Sequence, residues 1–269
     1  TTPWYELGWK SLAVNLSDIA AMGGAPEYAV ISLAVPQDTE VDVVKSMYQG
    51  MIDLAQRFGV ALIGGDTCRA PLVSITVTVL GSAIDKDGKV LTRSAARPGD
   101  KIAVTGALGG ASAGMEMLDK KLKLDAESSS QLRKAFLQPE PRVVEGQSLV
   151  RLGVKAAIDI SDGLMSDLKH VCDSSGVAAR VEADRIPVAP AVSTHFAERA
   201  LELALGGGED YELLFTASDE VIDKVKAELS CPVTVIGEIL AGEPGSIVMV
   251  DARGGPVRPG KGGWEHFNA

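Results

Sequence analysis

The strongest constraint on the fold is where the apolar spacing switches between helical and strand-like periods, with glycine or proline marking most of the switches. From Leu7 to Met22, Leu12, Leu16, Ile19 and Ala20 recur at helical spacing, and Gly23, Gly24 and Pro26 stop the run. YAVISLAV (28–35) reads as a strand, and Val41, Val44, Met51, Ala55 and Phe58 mark an amphipathic helix over 40–58. ALIGGDT reads as a short buried strand ending in a glycine turn, and LVSITVTVLGSAI (72–84) as a long β-branched strand closed by KDGK. This first unit is therefore α then β-α-β-β. ARPGD (96–100) breaks structure between two strand-like runs and divides the chain into domains 1–96 and 97–269. The second unit opens with the strand KIAVTG, the turn and helix GALGGASAGMEML and two further helices. It continues with the strand AAIDI, the helix SDGLMSDLKHVCDSSG, a mixed segment to Pro190 and a helix near 193–205. The loop GGGEDYE, the strand LLFT, a helix over 218–229 and the strand VTVIGEI follow. The fold class is α/β, built as α+β layers.

A chain of 269 residues is near the upper limit for one core, which also favours two domains. Only 4% of it is aromatic against 46% hydrophobic, so the core volume comes from Ala, Val, Leu and Ile. A net charge of -10 argues against a nucleic-acid partner, which requires a basic face. It permits phosphorylated ligands if divalent cations mediate. No apolar run approaches a membrane span and no signal peptide opens the chain, so a cytoplasmic location is expected. Cys68, Cys172 and Cys231 are expected as reduced thiols acting as small buried hydrophobes. His170, His195 and His266 are scattered, which leaves carboxylates as the main supply of metal ligands. The opening TTPWYELGWK has no initiator Met and runs straight into helix-like sequence, as in a fragment or a processed product.

The acids concentrate at turns. In AIDISDGLMSDL, Asp159 and Ser161 alternate along a strand end and Asp162 begins the turn into a helix. Such a turn suits an anion, because free amides and the helix dipole attract negative charge, yet here it carries carboxylates. Capping by Ser161 or Asp162 explains one of these residues and leaves Asp159 over. Hard cations such as Mg²⁺ take oxygen ligands shared between carboxylates and substrate phosphates, which fits the pattern. Asp167, further along the helix, reads as a solvated surface acid. Asp18 is nearly the only charge in LAVNLSDIAAMGG, where burial without a cation is costly. In IGGDT, Asp66 follows two glycines at a strand end. GGGEDYELLF ties an acidic loop to an apolar strand, with Glu209 as an acceptor for a cationic or amide group and aromatic faces for stacking on a positive ring. GALGGASAG matches neither nucleotide-loop pattern, and either close helix packing or phosphate binding accounts for its glycines.

NLSDIAAMGG, LIGGDT, LTRSAARPGD, DISDGLMSDL and GGGEDYELLF, in this order, resemble the thiamine-monophosphate kinases of the AIR synthase-related (PurM-like) superfamily. NLSD, GGDT and SDG are shared across the superfamily, including aminoimidazole-ribotide synthases and selenophosphate synthetases. GGEDYELLF and an aromatic before the C-terminal HF are more particular to the kinase. The resemblance implies a two-domain PurM-like protein that forms a homodimer through the sheet of its N-terminal domain. It implies Mg²⁺-dependent transfer of phosphate from ATP to thiamine phosphate, with potassium as a candidate activator. Asp18, Asp66, Asp159 and Asp162 match magnesium ligands of the family, and Asp162 and Arg93 are the implied catalytic pair. Gly65, Asp66, Arg93 and Ser161 match ATP contacts. Glu209 and Trp264 match contacts to thiamine phosphate, Trp264 standing where the family often has Tyr. The family's Gly-Asp-Asp stretch and Thr-Asp pair, which bind further magnesium, have no counterpart here. A non-catalytic nucleotide or thiamine-phosphate binding protein is the reading from a different class.

Overall fold

The computed structural model describes residues 2–257. It begins with α1 (Trp4–Ala21), on which Leu12, Leu16 and Ala20 are fully buried. β1 (Gly24–Val35), α2 (Val41–Phe58), β2 (Ala61–Arg69) and β3 (Ser74–Ala83) complete the expected α-β-α-β-β order. β1 is the central strand of this sheet, parallel to β2 and antiparallel to β3. Its alternation places Ala29, Ile31 and Leu33 in the core and leaves Tyr28 and Ser32 exposed on the other face.

β2 differs from the expectation of a short buried strand. It runs on through Gly64 and Gly65 to Arg69, and most of its residues are exposed. Residues 64 to 69 each pair with β1, which keeps the glycines extended, and a bulge opposite Ala29 and Val30 takes up Ile63. As an edge strand it has a neighbour on one side only. Cys68 is consequently exposed, against the expectation of a buried thiol, whereas Cys172 is buried and Cys231 half-buried.

The second sheet follows residues 96–100. Its strands are β4 (Lys101–Thr105), β5 (Ala156–Asp159), β6 (Ala178–Glu182), β7 (Leu213–Ala217), β8 (Val233–Leu240) and β9 (Ile247–Val250), in the order β5-β7-β4-β8-β6-β9. All pairs are antiparallel except β6 with β9. Between them lie α3 (Gly110–Asp119), α4 (Ala126–Leu137), α5 (Val143–Arg151), α6 (Leu164–Ser175), α7 (Pro190–His195), α8 (Ala200–Gly206) and α9 (Asp219–Glu228). The single helix expected near 193–205 is two helices joined by a 3-10 turn. Phe196 leaves helical geometry at the break (φ −127°) and packs onto the small core of Ala113, Met117 and Leu132.

α1 is the layer that the two sheets share. Its buried stripe lies in one cluster with Ile31 and Leu33 of β1, Ala103 of β4, Ala157 of β5 and Leu213 and Phe215 of β7. α6 covers the opposite face of the second sheet through Leu164, Leu168 and Val171. Among the described residues no helix is long and apolar enough to cross a membrane.

The seating of α1 depends on two glycines. A Cβ on Gly8 would overlap the Met47 carbonyl oxygen of α2, and one on Gly50 would overlap the Tyr5 carbonyl oxygen of α1. Gly8→Ala or Gly50→Ala is therefore expected to lower the unfolding free energy by about 1–3 kcal/mol, the usual cost of overpacking. Urea denaturation measures this, and an unchanged midpoint would show that the helices separate freely.

Candidate active site

The end of α1 meets the end of β5. Ser17, fully buried, donates from Oγ to Oδ2 of Asp159 at 2.7 Å. Asp159 is itself 3% exposed, and burial raises its pKa; the Ser17 hydroxyl and Arg93 oppose the rise and Asp18 adds to it. Asp18 is solvent-facing, yet the protein around it also raises its pKa, again opposed by Arg93. Arg93 acts on both carboxylates through its charge, from a segment held to β5, where Thr92 N–H donates to Lys155 O at 2.9 Å and Ala157 N–H to Thr92 O at 3.2 Å. Its guanidinium makes no hydrogen bond or ion pair among the described residues, so it is an available cation beside two acids.

Residues 161–163 make the turn from β5 into α6. Asp167 is not the solvated surface acid that its position on the helix suggested. It is 2% exposed, and its Oδ2 accepts the N–H groups of Ser161, Asp162 and Gly163 at 3.0, 3.1 and 3.1 Å. Amides at a helix start have no intrahelical partner, and a carboxylate one turn in can reach back to them. Burial pushes the pKa of Asp167 up to about 7 despite these amides, with Asp162 and Asp159 adding to the rise. The amides that would seat a phosphate are thus filled by the protein's own carboxylate. Neither Ser161 nor Asp162 is needed as a cap. His170, set aside in the sequence, brings a ring nitrogen within 4.8 Å of carboxylate oxygens of Asp162 and Asp167.

The loop 206–212 lies against this turn, with Glu209 N–H donating to Ser161 O at 2.8 Å and Tyr211 N–H to Ile160 O at 2.9 Å. Each of its acidic residues has a separate anchor. Glu209 pairs with Lys10 of α1 at 2.8 Å, and the Lys10 ammonium also stands 3.8 Å from the centre of the Phe136 ring. Burial lowers the Lys10 pKa, and Glu209 opposes that shift. Asp210 accepts from Gly109 N–H at 2.7 Å and Ala111 N–H at 3.1 Å, at the start of α3. These are amides of GALGGASAG, so the glycine-rich turn binds an internal carboxylate at the place where a phosphate would sit. Its glycines also permit close packing, since a Cβ on Gly114 would overlap the Leu132 carbonyl oxygen of α4. Glu212 takes a two-pronged pair from Arg142 at 2.7 and 2.6 Å and the Thr105 hydroxyl at 2.6 Å.

Tyr211 is 8% exposed, too enclosed for the stacking expected of an aromatic in this loop. Burial raises the pKa of its phenol, and Glu209, Asp159, Asp18 and Asp162 raise it further. The structure thus gathers Asp18, Asp159, Asp162, Ser161 and Glu209 in one cleft, with Arg93 beside the first two. Asp66 is not joined to them by any hydrogen bond or ion pair among the described residues. Its register beside Ser32 sets it on the exposed face of the first sheet, away from α1. Gly65 is in register with Ile31 and has no room for a Cβ against the Ile31 backbone. Trp264 lies outside the described residues. Lys10, Ser17, Asp167 and His170 were missed in the sequence; a serine beside Asp18 in an otherwise apolar helix was the one signal for a buried partner.

Burial pushes the Asp210 pKa up to about 7, opposed by the two amides it accepts and reinforced by Glu212 and Glu209. Unfolded, the group titrates near 4. The folded state therefore retains a proton that the unfolded state loses. The stability contributed is complete below about pH 4 and is lost as pH rises through about 7. Asp210→Asn is expected to flatten this part of the pH dependence, measured by denaturation between pH 4 and 8; an unchanged slope would count against it.

The model for the AIR synthase related protein, N-terminal domain, matches residues 1–83, and that for the C-terminal domain matches residues 97–250. The Escherichia coli K12 thiamine-monophosphate kinase is 41% identical over 267 residues, covering 97% of this chain and 80% of that protein. The Bacillus subtilis thiamine-monophosphate kinase is 36% identical over 274 residues, covering 97% and 81%. Among solved structures, AaThiL complexed with AMPPCP and TMP superposes with a TM-score of 0.87, with 30% identity and coverage of 99% of this chain and 82% of that one. With both domain models in chain order and the kinases matched along nearly its whole length, the chain belongs to the thiamine-monophosphate kinase family of AIR synthase related proteins.

Proposed function

We propose that this chain transfers the γ-phosphate of ATP in line to thiamine phosphate, giving thiamine diphosphate and ADP, with Mg²⁺ required and no covalent phosphoenzyme. The observation that carries the reading is the convergence of Asp18, Asp159 and Asp162 beside Arg93, at a turn whose amides are already taken by Asp167. Bare carboxylates repel a phosphate. An all-oxygen donor set of this kind suits Mg²⁺, which Asp18, Asp159 and Asp162 would hold and which would supply the positive charge that phosphoryl transfer needs, Asp66 standing apart on the outer face of the first sheet. Arg93 neutralises phosphate charge. Ser161 lines the ATP side, and Glu209 with Trp264 holds the thiamine side.

The names of the kinase relatives support this reading, as does the ATP analogue and TMP carried by AaThiL. A homodimer through the first sheet is part of the proposal. Its outer face carries the exposed Tyr28 and Leu80, which stand in register across β1 and β3. The proposal includes the division at residues 96 and 97 and a cytoplasmic location.

Asp162→Asn should lower kcat for thiamine diphosphate formation by about a hundredfold or more while the melting temperature stays within a degree or two, since one charged ligand is lost from a site that acts by electrostatics. Product analysis by chromatography with ATP, thiamine phosphate and Mg²⁺ makes the measurement. A fully active variant would overturn the assignment of Asp162, and wild-type protein that yields no thiamine diphosphate would overturn the kinase reading.

A further inference from the structure

Lys10 reaches from α1 to the acidic loop. Its ammonium stands 2.8 Å from Oε1 of Glu209 and 3.8 Å from the centre of the Phe136 ring, and its side chain is only 16% exposed. A lysine head is strongly hydrated and its stem is flexible, so fixing it between a carboxylate and a ring face needs a reason. Holding the loop together is not that reason, because the loop is anchored without Lys10. Glu209 N–H donates to Ser161 O, Tyr211 N–H donates to Ile160 O, and Asp210 accepts two amides at the start of α3. Glu212 takes Arg142 and the Thr105 hydroxyl. The Glu209 side chain is 38% exposed, and an ion pair this open to water contributes little to stability.

What the pair fixes, beyond the backbone, is the end of the Glu209 side chain. Lys10 engages Oε1, while Oε2 has no hydrogen bond or ion pair among the described residues, on a side chain that solvent reaches. The pair also decides what Glu209 binds. Its amide touches the carbonyl of Ser161, next to Asp162, so an unpaired carboxylate here would add to the acids that attract a cation. Neutralised by Lys10, it serves as a hydrogen-bond acceptor for a substrate instead. We propose that Lys10 is a positioning residue for the acceptor substrate: by holding Oε1 of Glu209, it sets Oε2 to accept a hydrogen bond from thiamine phosphate. This assignment rests on the kinase reading given above.

Steady-state kinetics of wild type, Lys10→Met, Lys10→Arg, Glu209→Gln and the Lys10→Met/Glu209→Gln double variant, with melting temperatures taken alongside, test it. Lys10→Met keeps the apolar stem beside Phe136 and removes the charge. It is expected to raise KM for thiamine phosphate about tenfold, the scale of one charge-assisted hydrogen bond, with kcat and the KM for ATP within about twofold and the melting temperature preserved. Lys10→Arg is expected to restore most of the lost affinity. On the Glu209→Gln background, Lys10→Met is expected to add less than about twofold, because both changes then act on one contact. Equal effects on kcat and both KM values, no effect on any of them, or the same penalty from Lys10→Met on either background would overturn the proposal. A fall in melting temperature that tracks the loss would make the pair purely structural and would also overturn it. Wild-type turnover to thiamine diphosphate separates the two claims: an active wild type with an unaltered Lys10→Met variant refutes the Lys10 role alone. A wild type that forms no thiamine diphosphate removes both.

Discussion

The position of α1 between two sheets is the constraint on which the site depends. Leu12, Leu16 and Ala20 are closed in on both sides, and Gly8 and Gly50 let α2 approach to backbone contact. With its axis and rotation set this way, α1 presents Lys10, Ser17 and Asp18 to the second sheet and its loops. Ser17 meets Asp159 and Lys10 meets Glu209, so one helix positions both ends of the cleft. The cavity term for trimming a fully buried Leu, about 2–5 kcal/mol, would be felt in the geometry of the site as well as in stability.

Two helix starts in the second domain are filled in the same way. Asp167 takes the amides before α6, and Asp210 takes those at the start of α3. Backbone amides at helix starts are ready-made phosphate seats, and here both are closed by internal carboxylates. The negative charge of the cleft is then left without amide compensation, with Lys10 and Arg93 as the cations beside it. This is the physical reason that cations, and not the backbone, are the expected bridge to phosphate.

Much of this was legible in the sequence. The α-β-α-β-β order of the first unit follows from periodicity, which is a local property. Asp18 and Asp159 stood out because an acid in an apolar stretch needs a reason to be there, and both do come together. The extent of β2 could not be read, because it depends on pairing with β1 and not on its own residues. Asp167 could not be read either: the same residue on the same helix is a surface acid unless the chain before it turns back over its carboxylate. The split between α7 and α8 came from Phe196 finding a small core elsewhere, which no local spacing records.

The hydrogen bond from Ser17 to Asp159 joins residues 142 positions apart. A contact of that separation forms only after much of the chain has been brought together, because closing a long loop costs entropy before it gains anything. Asp18 is therefore far from Asp159 and Asp162 along an unfolded chain and becomes their neighbour only when α1 has docked between the sheets. Their mutual repulsion falls on a closing hydrophobic core and not on the earliest collapse, so the order of assembly keeps the most unfavourable charges of the molecule apart until there is enough burial to hold them together.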